Sequence, residues 1–273
     1  GCMVIPKPLC RCRVCEEARE KGPPFARTGP SAFLHDVHLL IDAPAEIACQ
    51  LNRERISEVK HLLLTHLDPD HVEGLRVVEQ ITLDFRTWRA DPEKRIRLLL
   101  PRELQGRIRN LRSAYGPKID YYVEQGFVEV VPFDDTIAIR GIRIHALPVD
   151  RGDQIVFIYV FNDGSKRMVY APCDIKPFPE HRPEVRNPDL LVIQPGIFEK
   201  GLKHDFTYPA DHISRSTLYT FEHTVDLARR LEAAQVVFVH LEEYWNRSHQ
   251  DYKELEKSLS GMRFAFDGMK VHT

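Results

Sequence analysis

The sequence predicts an α/β layered sandwich, in which two β-sheets pack face to face and helices cover both outer sides. Three observations carry this. Strand-like segments fall into two blocks with helical patterns between and after them. Residues 59–65 form a nearly continuous apolar run, as in a strand buried on both faces. Leu104, Ile108, Leu111 and Tyr115 recur at helical spacing with Arg102, Arg109 and Arg112 opposite, which marks a helix with one apolar stripe over 101–115.

The elements follow in order. Residues 31–34 and 37–41 flank His35-Asp36 and read as a β-hairpin ending at Asp42. A short helix suits 44–55, and the buried strand 59–65 comes next. Strands are expected at 127–131, 136–147, 154–161, 167–171 and 189–193. Residues 172–211, rich in Pro and Asp, suggest an irregular excursion. Thr220 is placed to cap a helix carrying Phe221, Val225, Leu227, Ala228 and Leu231. A strand at 236–239 leads to His240, and a helix at 249–259 precedes a terminal β pair at about 263–271. No short repeat or low-complexity linker interrupts the chain, so one domain over 1–273 is expected, with a Cys-rich segment at 10–15.

Composition narrows the function. Among 273 residues, 38 Lys+Arg face 40 Asp+Glu, so the formal net charge of -2 drives the chain onto neither nucleic acid nor acidic membrane. No apolar run approaches the roughly 20 residues of a membrane span, and no secretory leader pattern opens the sequence. A cytoplasmic location is expected. Cys2, Cys49 and Cys173 are scattered and read as reduced, buried small residues, whereas Cys10, Cys12 and Cys15 form Cys-x-Cys-x-x-Cys, a metal-ligand spacing.

The chemistry concentrates in Thr65-His66-Leu67-Asp68-Pro69-Asp70-His71-Val72-Glu73-Gly74-Leu75, at the end of the buried strand. His66, Asp68, Asp70 and His71 place four candidate ligands within six residues, enough to converge on one or two divalent metals. A polar turn with a helix cap would explain one histidine there but explains all four residues poorly.

These residues resemble the hallmark of the metallo-β-lactamase fold hydrolases, Thr-His-x-His-x-Asp-His after a buried strand. Leu40-Ile-Asp42, Ala171-Pro-Cys-Asp174 and Val239-His240 are similar to the family's other motifs and stand in the same order. Within that superfamily the sequence most resembles the phosphoribosyl cyclic phosphodiesterases of phosphonate breakdown, through Cys-x-Cys-x-x-Cys, Ser248-His249-Gln250 and Phe266 to Met269. The pyrroloquinoline-quinone accessory proteins are a weaker match. The resemblance implies a four-layer αββα sandwich and a metal centre. Asp70, His71, Asp174 and His240 would form one site, with Asp174 bridging. His66, Asp68 and a residue near 150 would form the other, and His249 would join the three cysteines on a structural zinc. The family's first strand normally precedes the position of Gly1.

The sequence departs from that pattern at three points. Asp68 stands where the family has its second histidine. Either Asp150 or Arg151 occupies the third-histidine position, in Pro148-Val-Asp-Arg-Gly152. Leu218 stands where the general acid is expected, which leaves His212 or His204 to replace it. Carboxylates for imidazoles make a harder site, better suited to Mn²⁺ than to Zn²⁺. If Arg151 fills the corner instead, its fixed charge pairs with Asp68 in place of a first metal, or faces a substrate phosphate.

The site residues expected are therefore Asp70 and His212 for catalysis, Arg151 for substrate, and His66, Asp68, Asp70, His71, Asp150, Asp174 and His240 for one or two divalent metals, Zn²⁺ or Mn²⁺. Cys10, Cys12, Cys15 and His249 would hold a structural Zn²⁺, whose filled tetrahedral shell leaves no position for substrate. The function expected is a metal-dependent hydrolase of a small phosphodiester, cyclic ones included, acting through metal-activated water. The competing readings are a degenerate binding or regulatory member of the fold and a nuclease of the same superfamily. Nucleic acid and membrane are disfavoured as partners, and a homodimer is left open.

Overall fold

The computed structural model describes residues 3–152 and 154–272. Cys2 lies outside them. The first sheet has five strands in the order β1 (Ala32–Leu34), β2 (Leu39–Ile41), β3 (His61–Leu63), β4 (Ile96–Pro101) and β5 (Val128–Phe133). Only β1 and β2 pair antiparallel; the rest are parallel. The second sheet has seven: β6 (Thr136–Ile139), β7 (Ile142–Asp150), β8 (Ile155–Asn162), β9 (Arg167–Ala171), β10 (Leu190–Ile193), β11 (Gln235–Phe238) and β12 (Met262–Phe264). Its first half is an antiparallel meander and its second half is parallel.

The strand patterns explain the layering. Every residue of β2, β3 and β10 is buried, as expected for parallel strands covered on both faces. Along β8 and β9 side chains alternate between two cores. Phe157, Tyr159, Phe161 and Tyr170 join the core between the sheets with Leu40, Leu62, Leu64 and Leu98. Val156, Ile158, Val160 and Val169 face outward to Phe221, Val225 and Ala228 of the helix Phe221–Arg230. Thr220 caps that helix as expected, accepting from the His223 N–H.

Three elements differ from expectation. The helix over 101–115 stops early: an α-helix at Arg102–Arg107 passes into a 3₁₀ turn at Ile108–Asn110, and Tyr115 is exposed. Gly106 sits inside this segment and weakens the helical preference. Two residues of its basic face carry ion pairs, Arg102 with Asp134 and Arg109 with Asp120, each at 3.0 Å. The strand expected over 136–147 is two strands broken by Arg140-Gly141, both at positive φ. The expected terminal β pair is one strand, β12, followed by turns.

The parallel strands matter most for position. The segments following β2, β3 and β11 and the turn after β9 meet at one edge of the sandwich, and His66, Asp68, Asp70, His71, Asp174 and His240 lie there.

Candidate metal centre

The segment after β3 carries the motif. Pro69 begins a short helix, Pro69–Val72, with Asp68 in extended conformation before it. Gly74 is required by close packing, since a Cβ there would overlap the Pro44 carbonyl oxygen. The Gly74 N–H donates to Ala43 O at 2.9 Å, and the Ala43 N–H donates to His71 O at 2.8 Å. These bonds lock the motif against the end of β2.

Asp42, fully buried just after β2, fixes the histidines. Its carboxylate accepts from the Thr65 N–H, the Thr65 hydroxyl and His71 Nδ1, each at 2.8 Å. A carboxylate only accepts, so His71 Nδ1 carries the hydrogen and its Nε2 presents a lone pair. The Thr65 hydroxyl, having donated to Asp42, accepts from His66 Nδ1 at 2.9 Å, which turns His66 Nε2 toward the site as well. His240 Nδ1 lies 2.9 Å from Glu242 Oε1, and its Nε2 therefore faces inward.

The result is a set of acceptors that requires a cation. His71 Nε2 and His240 Nε2 stand 3.3 Å apart, with Asp70 Oδ2 at 3.5 Å from the first and 3.1 Å from the second. Two imidazole lone pairs and a carboxylate at these distances repel unless a proton or metal ion sits among them. Buried carboxylates behind metal-facing histidines are the usual outer support of such sites. These residues fit a divalent metal.

Protonation directions agree. Burial pushes His240 down, but Cys173 and Asp70 beside it hold it well above the ordinary histidine range. Burial likewise opposes His66, yet the neighbouring Asp68 and Cys173 lift it to about 10. Burial would raise Asp70, but the His240 bond and the nearby His71 keep it below the usual carboxylate range. The cluster collects positive charge in every way open to it.

The other half of the centre is altered. His66, Asp68 and Asp174 converge as a second ligand group. Arg151 reaches into this group and its guanidinium forms an ion pair with the Asp174 carboxylate, both side chains being mostly buried. Asp68 lies 3.6 Å from His66 Nε2 and accepts from Gln154 Nε2 at 3.2 Å. Arg151 therefore pairs with Asp174 and not, as expected, with Asp68. Asp150 does not enter the centre. It is exposed at the end of β7 and accepts from the Gly152 N–H, because strand alternation points its side chain away from the cluster while Arg151 turns in.

His212 joins none of the ligand groups. It lies on the loop 206–213, where Nδ1 accepts from the Ser214 N–H and the ring stands edge-on to Tyr208. His204 is exposed at positive φ. Asp42, Asp174 and His240 are all held at φ of 51–60°, a region costly for residues with a Cβ and often found where a site is built.

A second cluster lies at the N-terminal segment. Cys10, Cys12 and Cys15 converge, and the fourth member is Glu243, whose Oε1 lies 3.4, 3.5 and 3.3 Å from the three sulfurs. Lys203 Nζ contacts Glu243 and lies 3.0 Å from Cys10 Sγ. Burial pushes the Cys15 thiol up to about 12. The expected fourth ligand, His249, stands elsewhere. Ser248 caps the helix His249–Glu256 through a capping box, which turns His249 between Phe25 and Phe266, each ring centroid 5.5 Å away. The signal for Glu243 was its place three residues after His240, on a segment anchored by buried Trp245.

Comparison with known proteins agrees with this architecture. The model of the beta-lactamase superfamily domain matches residues 37–241. A diphosphatase from the PhnP family is similar in structure, with a TM-score of 0.72 at 23% identity, covering 100% of this chain and 94% of that one. Zn(2+)-bound PqqB from Methylobacterium extorquens has a TM-score of 0.72 at 17% identity, covering 99% and 96%. The short form of human tRNase Z has a TM-score of 0.60 at 11% identity, covering 92% and 94%. No curated protein sequence matches.

Proposed function

Because the chain belongs to the beta-lactamase superfamily, a family of metallo-β-lactamase fold hydrolases, we propose that it is a hydrolase with a single catalytic metal, acting on a small phosphodiester. The observation that carries this reading is the contrast between the two halves of the centre. Asp70, His71 and His240 turn unshared lone pairs toward one another, whereas Arg151 engages Asp174 where a first metal would need that carboxylate.

Asp70, His71 and His240 would hold the metal, with Asp42 and Glu242 fixing the two imidazoles. A divalent metal bound there lowers the pKa of its water, supplies hydroxide at neutral pH and takes up charge developing on a phosphoryl oxygen. Arg151 sets a permanent cation on the opposite wall, suited to an anionic substrate oxygen by its planar donor fork. The ion pairs of Arg102 and Arg109 and the net charge of -2 favour a small substrate over a polynucleotide. Cys10, Cys12, Cys15 and Glu243 would hold a structural zinc remote from the chemistry.

The test is hydrolysis of a chromogenic phosphodiester and of a five-membered cyclic phosphodiester by protein stripped with chelator and reloaded with Zn²⁺ or Mn²⁺. Turnover restored by metal supports the reading. Metal binding without turnover of either substrate supports a binding protein on the same fold, and a salt-sensitive RNA complex would revive the nuclease.

A further inference from the structure

Cys173 is buried and has no part in the reading above. It follows β9 through Pro172 and enters the metal centre from the second sheet. Its sulfur lies within 4.8 Å of one ring nitrogen of His66 and one of His71. His66 is 2% exposed, and its Nε2 makes no close hydrogen bond in that interior, the Asp68 carboxylate standing off at 3.6 Å. The next residue points elsewhere. The Asp174 N–H donates to Gln194 Oε1 at 3.2 Å, its φ of 51° turns the chain, and its carboxylate leaves toward His66, Asp68 and Arg151. At this strand end the carboxylate is engaged by a fixed cation, while a sulfur stands among the imidazoles.

We infer that Cys173 Sγ, rather than the Asp174 carboxylate, is the anionic ligand through which the second sheet holds the catalytic metal. The inference rests on the metal-centre reading above and specifies its donor set. On binding, the thiol proton leaves to solvent and the sulfur forms the metal bond as thiolate. One thiolate with imidazoles favours Zn²⁺ or Cd²⁺ over Mn²⁺ and Mg²⁺, so the preference for a harder metal expected from Asp68 is reversed.

Cadmium NMR of the metal-exchanged full chain tests this without reference to turnover. Two resonances are expected, one from the multi-thiolate cluster at Cys10, Cys12 and Cys15, and one shifted by a single sulfur relative to sites of nitrogen and oxygen alone. Cys173→Ser should move the second upfield and leave the first, and Asp174→Asn should leave both in place. The second resonance of the unmodified protein decides the matter even if Cys173→Ser fails to fold. A value typical of nitrogen and oxygen ligands alone, or one unmoved by Cys173→Ser, overturns the role of Cys173. Absence of a second bound cadmium overturns the metal centre itself, and with it this inference.

Discussion

Replacing Arg151 by Ala separates a cation that substitutes for a metal from one that merely borders the site. Arg151 and Asp174 are only 19% and 16% exposed, so removing the guanidinium leaves Asp174 largely buried beside Asp68. Breaking one side of a fully buried pair costs about 3–5 kcal/mol. The remaining exposure, and His66 as a neighbouring partner for the carboxylates, reduce the expected loss to about 2 kcal/mol. At about 2–4 °C per kcal/mol for a chain of this size, the Tm of the metal-free variant should fall by about 4–8 °C. Added divalent metal should then recover more stability in Arg151→Ala than in the parent, since a ligand at 100 times its Kd contributes about 2.7 kcal/mol. Differential scanning calorimetry with chelator and with Zn²⁺ measures both effects. An unchanged metal-free Tm, or equal stabilisation of the two proteins by metal, would refute the reasoning.

Asp70→Asn or His240→Ala should lower hydrolysis at least about 100-fold with the circular dichroism spectrum intact, as expected when a metal that generates the nucleophile is lost. Asp42→Ala should weaken catalytic metal affinity by about 10–100-fold, measured by competition with a chelating dye, because His71 loses the carboxylate that orients it. Cys12→Ser and Glu243→Ala should each release about one zinc per chain and lower the Tm, while His249→Ala retains that zinc; elemental analysis decides between Glu243 and His249. The double change Asp68→His with Arg151→His should raise metal content by about one ion per chain, and unchanged content would show that the first half of the centre is lost for other reasons.

The layered fold and the clustering of His66, Asp68, Asp70 and His71 were legible in the sequence because both depend on local order. A buried run such as 61–64 can only be a covered strand, and His66, Asp68, Asp70 and His71 are close because they are consecutive. Contacts set by side-chain direction at strand ends were not legible. Whether Asp150 or Arg151 turns inward depends on the alternation of β7, and Arg151 reaches Asp174 across 23 positions of sequence. Cys173 looked like a small apolar residue, which it is by burial, and only the turn at Asp174 shows that it faces the imidazoles. Glu243 was hidden for a similar reason. A carboxylate on a turn carries no periodic signal, and a capping box diverts the more conspicuous His249 into aromatic contacts.

Anomalous diffraction collected at the zinc and manganese edges on crystals grown with both metals bears on the one-metal centre most directly. The geometry calls for one peak among Asp70, His71, His240 and Cys173, a second among Cys10, Cys12, Cys15 and Glu243, and the Arg151 guanidinium on Asp174 with no ion between. Two ions in the catalytic centre, one of them bound by Asp68 with Arg151 swung away, would contradict it.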